Sequence, residues 1–312
     1  MSDNNKLEMS EEDYLKRHLN DLEQGKKMAD GDIPFVEKTD SNRTSDLQYF
    51  NMDIRELPCG QFYPTGTLFL VRPAQVREIQ AYSMVDDNNF YDIVEKMNDM
   101  LQACVRIKYP DGKIGSFLEI KDQDRLFLVF LIRELTFQQG NSLAANAKCS
   151  CGNEVKVELN RKTFDFYESD EKLNKYFNHS SRNFYFKTIN GKSFELTPPN
   201  IGLQKAFTDY IIKENNEKKA PNLSFLKIIP FLLPGRTSIT YDGIKTKLKE
   251  FEEMDDISFQ FLNAAVGKMT FGIKELKTNC ECGEEVRTDM QFPDGASAIF
   301  VVSDAFDAYL KE

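Results

Sequence analysis

The chain has 312 residues, 41% of them hydrophobic and 29% charged, which suits a soluble globular protein with one large or two smaller cores. Its net charge of −10 argues against nucleic acid as a partner, since such binding draws much of its affinity from neutralised phosphates. Met1 opens a polar, acidic stretch rather than a signal peptide, and no apolar run reaches membrane-span length, so neither export nor a membrane span is expected.

Residues 1–50 read as an extended or partly disordered N-terminal arm with one short helix. Ser10 is placed to cap that helix over about residues 11–24, and Gly25 to end it. Leu15, Leu19 and Leu22 form its narrow apolar stripe. Two readings stay open: a disordered leader, or a tether that orders when the helix docks on a neighbouring subunit.

Residues 51–151 read as a helical part ending in a first pair of cysteines. Leu57-Pro58-Cys59-Gly60-Gln61-Phe62-Tyr63-Pro64 is rich in turn formers and leads into a short strand over 67–72. Pro73 suits the first turn of a helix running to about Met84. A second helix, about 88–104, carries Phe90, Ile93, Val94, Met97, Met100 and Leu101 on one face, a core-facing pattern. The acidic pair Asp86-Asp87 is placed to offset the positive end of that helix. Pro110-Asp111-Gly112 marks a turn. Asp122 is placed to cap a third helix whose centre, 126–132, is apolar all round and should be buried.

Lys148-Cys149-Ser150-Cys151-Gly152 then meets an echo far downstream, Asn279-Cys280-Glu281-Cys282-Gly283. Each pair is followed by a similar alternating stretch, Asn153-Glu154-Val155-Lys156-Val157 and Glu284-Glu285-Val286-Arg287-Thr288. Two such half-sites can supply four thiolates, Cys149, Cys151, Cys280 and Cys282, to one structural zinc ion. The other readings are four reduced, half-buried thiols in two similar hairpins, or an iron–sulfur centre. His18 and His179 lie far from both pairs in sequence and read as solvated. Cys104 reads as core and Cys59 as a turn residue, and six cysteines with no secretion signal in view read as a reducing compartment with metal rather than disulfides.

If the pairs meet, residues 152–279 form an inserted α+β excursion that leaves and returns at one point. It contains a hairpin about Asn190-Gly191, flanked by Phe184, Phe186, Ile189, Phe194 and Leu196. A helix follows over about 200–215, then an apolar helical segment over 223–233 interrupted by Pro230, a stop at Pro234-Gly235 and a turn at Tyr241-Asp242-Gly243. Lys245, Lys247 and Lys249, followed by Glu250, Glu252 and Glu253, read as a solvated helix face. Asp255 or Asp256 is placed to cap a helix over about 256–269. Residues 280–312 supply the second pair, a strand and a final helix over about 297–311 with Phe300, Phe306 and Leu310 on its apolar side. The expected class is α+β: a helical core with small antiparallel hairpins and a discontinuous four-cysteine zinc ribbon. No phosphate loop, dinucleotide fingerprint, nucleophile elbow or zinc-protease motif occurs, so no catalytic site is expected.

In this order the segments resemble the baseplate hub subunit family of T4-like contractile-tail phages. The resemblance rests on residues 57–66, on Leu70-Val71-Arg72-Pro73-Ala74, on the apolar run within 125–140, and on the two cysteine pairs with a Phe-rich C-terminal segment. It spans roughly residues 55–312. It implies a non-catalytic structural component of the virion tail baseplate, or a hub assembly factor, assembled in the host cytoplasm. Its partners would be other baseplate and tail proteins, with possible self-association within the particle. Of site residues it carries over only the four cysteines. The competing reading is an intracellular zinc-ribbon adaptor or transcription accessory protein, which would call for a basic face beside the ribbon. A metalloenzyme would need an open metal position and a nearby acid or base.

Overall fold

A four-stranded antiparallel meander opens the structure: β1 (Phe50–Asp53), β2 (Leu68–Val71), β3 (Val105–Lys108) and β4 (Ile114–Gly115). The computed structural model describes residues 49–137, 143–167, 170–289 and 295–300, all within a unit that begins at Gln48. The arm helix expected at about 11–24, and the expected tail helix beyond Phe300, lie outside the described residues. Pairing sets Met52 opposite Phe69 and Phe69 opposite Ile107, and all three are fully buried. Arg106 and Lys108 alternate onto the exposed face of β3. Helices and small antiparallel sheets are mixed throughout, which makes the class α+β.

Two helices fill the β2–β3 connection, α1 (Val76–Ser83) and α2 (Phe90–Cys104). Contrary to the sequence expectation, Pro73 lies before α1 rather than in its first turn. Gln75 takes the cap position, with its N–H donating to the Glu78 carboxylate at 2.6 Å. That carboxylate is also gripped by Arg72 at 2.9 and 2.7 Å, which fixes where the helix begins. Nor does the Asp86-Asp87 pair cap α2. Asn89 does so, accepting from the N–H of Tyr91 at 3.1 Å, while Asp87 accepts from the N–H and hydroxyl of Ser297, both at 3.0 Å. The apolar stripe of α2 is core only at its C-terminal end, where Met100, Leu101 and Cys104 are buried; Phe90 is exposed.

The third helix, α3 (Arg125–Thr136), is buried along 127–133, as its apolar pattern requires. Asp122 does not cap it. Residues Asp122–Asp124 form a 3-10 turn in which Asp122 pairs with Arg125, and Asp124 turns inward. There the buried Asp124 carboxylate accepts from the Cys59 N–H at 2.8 Å and the Tyr63 hydroxyl at 2.7 Å. Tyr63 in turn accepts from the Lys121 N–H at 2.7 Å. Burial pushes the Asp124 carboxyl up to about 7, against these hydrogen bonds. The turn at 57–64 is thereby locked onto the start of α3. Gly60 is required within it, because a Cβ there would lie 1.9 Å from the Ile54 carbonyl oxygen.

Beyond α3 come β5 (Ala144–Lys148), β6 (Glu154–Glu158) and β7 (Phe164–Phe166), then a short α4 (Glu171–Asn174). β8 (Phe177–Asn178), β9 (Asn183–Lys187) and β10 (Ser193–Leu196) form a second antiparallel sheet, with Asn190-Gly191 at the tip of the β9–β10 hairpin as expected. Four helices follow: α5 (Ile201–Asn216), α6 (Leu223–Ile228), α7 (Tyr241–Glu252) and α8 (Asp256–Lys268). α6 gives way at Ile229 to a 3-10 turn containing Pro230. Tyr241-Asp242-Gly243 is not a free turn but the first turn of α7, because the Thr240 hydroxyl caps it by accepting from the Gly243 N–H at 3.1 Å. Asp255 caps α8. The chain then returns through β11 (Ile273–Asn279) and β12 (Glu285–Thr288) and reaches a 3-10 turn at Ala296–Ile299.

Two seams join the excursion to the N-terminal part. One is backbone: the Ile201 N–H donates to the Ile120 carbonyl at 2.8 Å and the Asp122 N–H to the Pro199 carbonyl at 2.9 Å. The other is aromatic. Phe62 sits edge-on to Phe177, Phe184 and Phe271 with centroids 5.6, 5.6 and 5.2 Å away.

Candidate metal centre

Each cysteine pair occupies the loop of a tight hairpin. In the first, β5 and β6 pair up to Lys148 opposite Glu154, and the Cys149 N–H closes the loop on the Asn153 carbonyl at 2.9 Å. In the second, β11 and β12 pair up to Asn279 opposite Glu285, and the Cys280 N–H closes on the Glu284 carbonyl at 2.8 Å. Gly152 and Gly283 donate to the carbonyls of Cys149 and Cys280, both at 2.9 Å, with φ of +93° and +89°. A side chain at either glycine would meet nothing within 4 Å, so backbone conformation alone calls for glycine there. The two loops are the same local structure built twice.

The fold sets these loops face to face. β12 lies against β5 and β11 against β6, while β7 adds a third strand to the β11–β12 hairpin. Cys149 Sγ is 3.6 Å from Cys282 Sγ, and Cys151 Sγ is 3.8 Å from Cys280 Sγ. All four sulfurs lie within 4.8 Å of one another, and together they can hold a metal ion. The matching contexts of the two pairs anticipate this convergence. Cys149 and Cys280 are buried, whereas Cys151 and Cys282 face solvent.

Local electrostatics favour thiolate at one corner and resist it at another. Backbone N–H groups of Cys151 and Cys282 donate to the sulfurs of Cys149 and Cys280. The Cys282 N–H draws the Cys280 thiol down to about 7. Cys282 receives the Glu284 N–H, which lowers it, yet the three neighbouring thiols push it up to about 12. Four sulfurs this close cannot all ionise without a cation among them, and a bound metal ion would supply that charge.

One polar neighbour is legible in the sequence only as acidic flank. The Glu284 carboxylate lies 3.8 Å from Cys149 Sγ and accepts a hydrogen bond from the Ser150 hydroxyl, tying the second loop to the first. Its position just after Gly283 is the only sequence signal for this role. Beneath the second loop, Asp165 on β7 accepts from Lys277 at 2.6 Å and Arg287 at 3.0 Å. Lys277 and Arg287 are cross-strand partners of like charge, so Asp165 makes that pairing tolerable.

The other candidates stay apart. His179 is exposed and packs edge-on to Phe177 with centroids 5.1 Å apart; His18 lies outside the described residues. Cys59 and Cys104 are buried, and burial pushes both thiols up, Cys104 to about 12, which makes them poor ligands and nucleophiles. No family model matches the chain, no curated protein matches it in sequence, and no solved structure matches its fold.

Proposed function

We propose that the protein is a non-catalytic structural component of a contractile phage tail baseplate, a hub subunit or hub assembly factor, whose fold is closed by one structural zinc ion. The observation that carries the zinc is the sulfur geometry. A tetrahedral zinc with bonds to sulfur of about 2.3 Å holds its ligands about 3.8 Å apart. Two pairs between the loops, Cys149–Cys282 and Cys151–Cys280, stand at 3.6 and 3.8 Å. A disulfide would require about 2.05 Å. An iron–sulfur cluster interposes several irons and sulfides and would spread the four cysteines more widely than 4.8 Å. Four sulfur ligands leave no open position for substrate, which favours a structural role over a catalytic one.

The baseplate assignment rests on the order of the resembling segments and on the mechanical sense of the clip. It closes a chain excursion of more than a hundred residues at its two ends, as suits a part that must hold shape while joining several neighbours. The adaptor reading fits less well, because Glu154, Glu281, Glu284 and Glu285 stand exposed around the loops where a nucleic-acid reader would place basic residues.

Two measurements test this. Elemental analysis of reduced, freshly purified protein is expected to find about one zinc per chain; a metal-free protein overturns the clip. Quantitative mass spectrometry of purified tails, with and without the gene, is expected to find the chain in fixed ratio to tail proteins, or to find baseplates failing to form without it. Complete tails made in its absence overturn the baseplate role.

A further inference from the structure

The N-terminal half of α2 carries an apolar face that the described residues cover only in part, with Ile93 and Val94 half-buried and Phe90 exposed. Phe90, Ile93, Val94 and Met97 follow one another at helical spacing, yet only Met97 packs against the core. Phe90 is 71% exposed, neighbouring Tyr91 46%, and Met84 in the connecting turn 74%. The Phe90 and Tyr91 rings lie 6.3 Å apart as a ready aromatic pair. Large apolar side chains gathered on one element mark interaction sites more often than isolated ones do. The turn beneath them is anchored rather than loose, since Asp87 holds Ser297 through two hydrogen bonds and Tyr82 meets Phe300 edge-on with centroids 4.9 Å apart.

The charge around this face indicates what covers it. Residues 84–99 contain Asp86, Asp87, Asp92, Glu95 and Asp99 against one base of their own, Lys96, and Lys205 of α5, which pairs with Glu95 at 2.5 Å. Within this chain, segment 1–47 has twelve acidic and seven basic side chains, and segment 301–312 has three against one. A second copy carries −10 overall. Each of these would bring like charge to the acidic rim. We propose that the face formed by Met84, Phe90, Tyr91, Ile93 and Val94 docks an apolar helix with lysine or arginine flanks from a different protein. Its aromatic pair would act as the anchor and its carboxylates as the rim. This inference stands apart from the metal clip and does not depend on it.

The test uses the full-length protein and a fluorescein-labelled amphipathic helical peptide of about 14 leucine and lysine residues. A leucine–glutamate peptide of the same pattern is the control. The lysine peptide is expected to bind, shifting the Met84 and Met97 methyl signals of methionine-labelled protein, while the glutamate peptide does not. Phe90→Ser is expected to weaken binding about tenfold without altering the melting curve, because the ring is exposed. Tyr91→Ser serves as an independent second variant. No binding, equal binding of both peptides, or equal binding by the variants overturns the proposal. Concentration-dependent dimerisation abolished by Phe90→Ser assigns the face to a second copy and overturns it too. Tighter peptide binding after deletion of 301–312 assigns the face to the chain's own tail and likewise overturns it.

Discussion

Cys149 and Cys282 are 133 positions apart in the chain, and their sulfurs are 3.6 Å apart in the fold. A metal ion held there would bridge two hairpins that belong to separate sheets among the described residues. Its removal should be felt at both ends of the excursion at once.

Replacing a ligand tests this directly. Cys280→Ser takes out a buried sulfur and leaves three ligands. The expected loss is about 3 kcal/mol, roughly 6–12 °C in Tm for a unit of this size. Thermal unfolding with parallel metal analysis is the check, and an unchanged Tm would count against the site.

Chelation should reproduce the same effect without mutation. Treating the wild-type protein with a strong zinc chelator is expected to lower Tm and to open both hairpin loops to protease, and added zinc is expected to restore both properties. The Cys280→Ser protein should respond far less to chelator.

The lock between the 57–64 turn and α3 makes a second, metal-independent prediction. Asp124→Asn replaces a carboxylate that receives both the Cys59 N–H and the Tyr63 hydroxyl, and is expected to cost about 1–3 kcal/mol. Gly60→Ala should be worse, because its methyl collides with the Ile54 backbone rather than with a movable side chain. Denaturant unfolding of both variants, with zinc content unchanged, separates this lock from the clip.

Acid and neutral limbs of the stability curve should trace to different carboxyls. Burial alone would raise Glu78, but hydrogen bonds from Arg72 and the Gln75 N–H hold it at about 2, below its ordinary 4.5. Its contribution is full above pH 4.5 and is lost as pH falls towards 2, on the order of 3 kcal/mol. Asp124 has the opposite sign: raised by burial from 3.8 to about 7, it favours the folded state most below pH 3.8, and that advantage fades as pH rises through 7. Glu78→Gln should flatten the acid limb, and the stability gap between wild type and Asp124→Asn should narrow from pH 4 to pH 7. Urea titrations across this range are the measurement.

What can be read from the residues is what the residues decide locally. The cysteine–glycine loops, the Asn190-Gly191 hairpin and the buried centre of α3 all declare themselves within a few positions. Of the β1–β4 meander only β2 and the Pro110-Asp111-Gly112 turn do so, because its strands are two to four residues long and the β1–β2 and β2–β3 pairings join residues 15 to 40 positions apart. Asp124 escapes a sequence reading for a related reason: its partners Cys59 and Tyr63 are 65 and 61 positions away. The stripe on α2 misleads differently. Periodicity locates the apolar side chains on one face, but only neighbouring elements decide whether that face is covered. Tyr241-Asp242-Gly243 has turn-forming composition, and the Thr240 cap converts it into the start of a helix.

The order in which the two loops leave the ribosome adds a constraint. Cys280 follows Cys151 by 129 positions. At ordinary translation speeds the first loop is made roughly 6–26 s before its counterpart exists. The helices from α5 to α8 emerge in that interval and are free to fold, so a metal held by all four thiols would close the site only after they are made, and the Asp87–Ser297 contact forms later still. Until then the early thiols are open to a competing ion or oxidant.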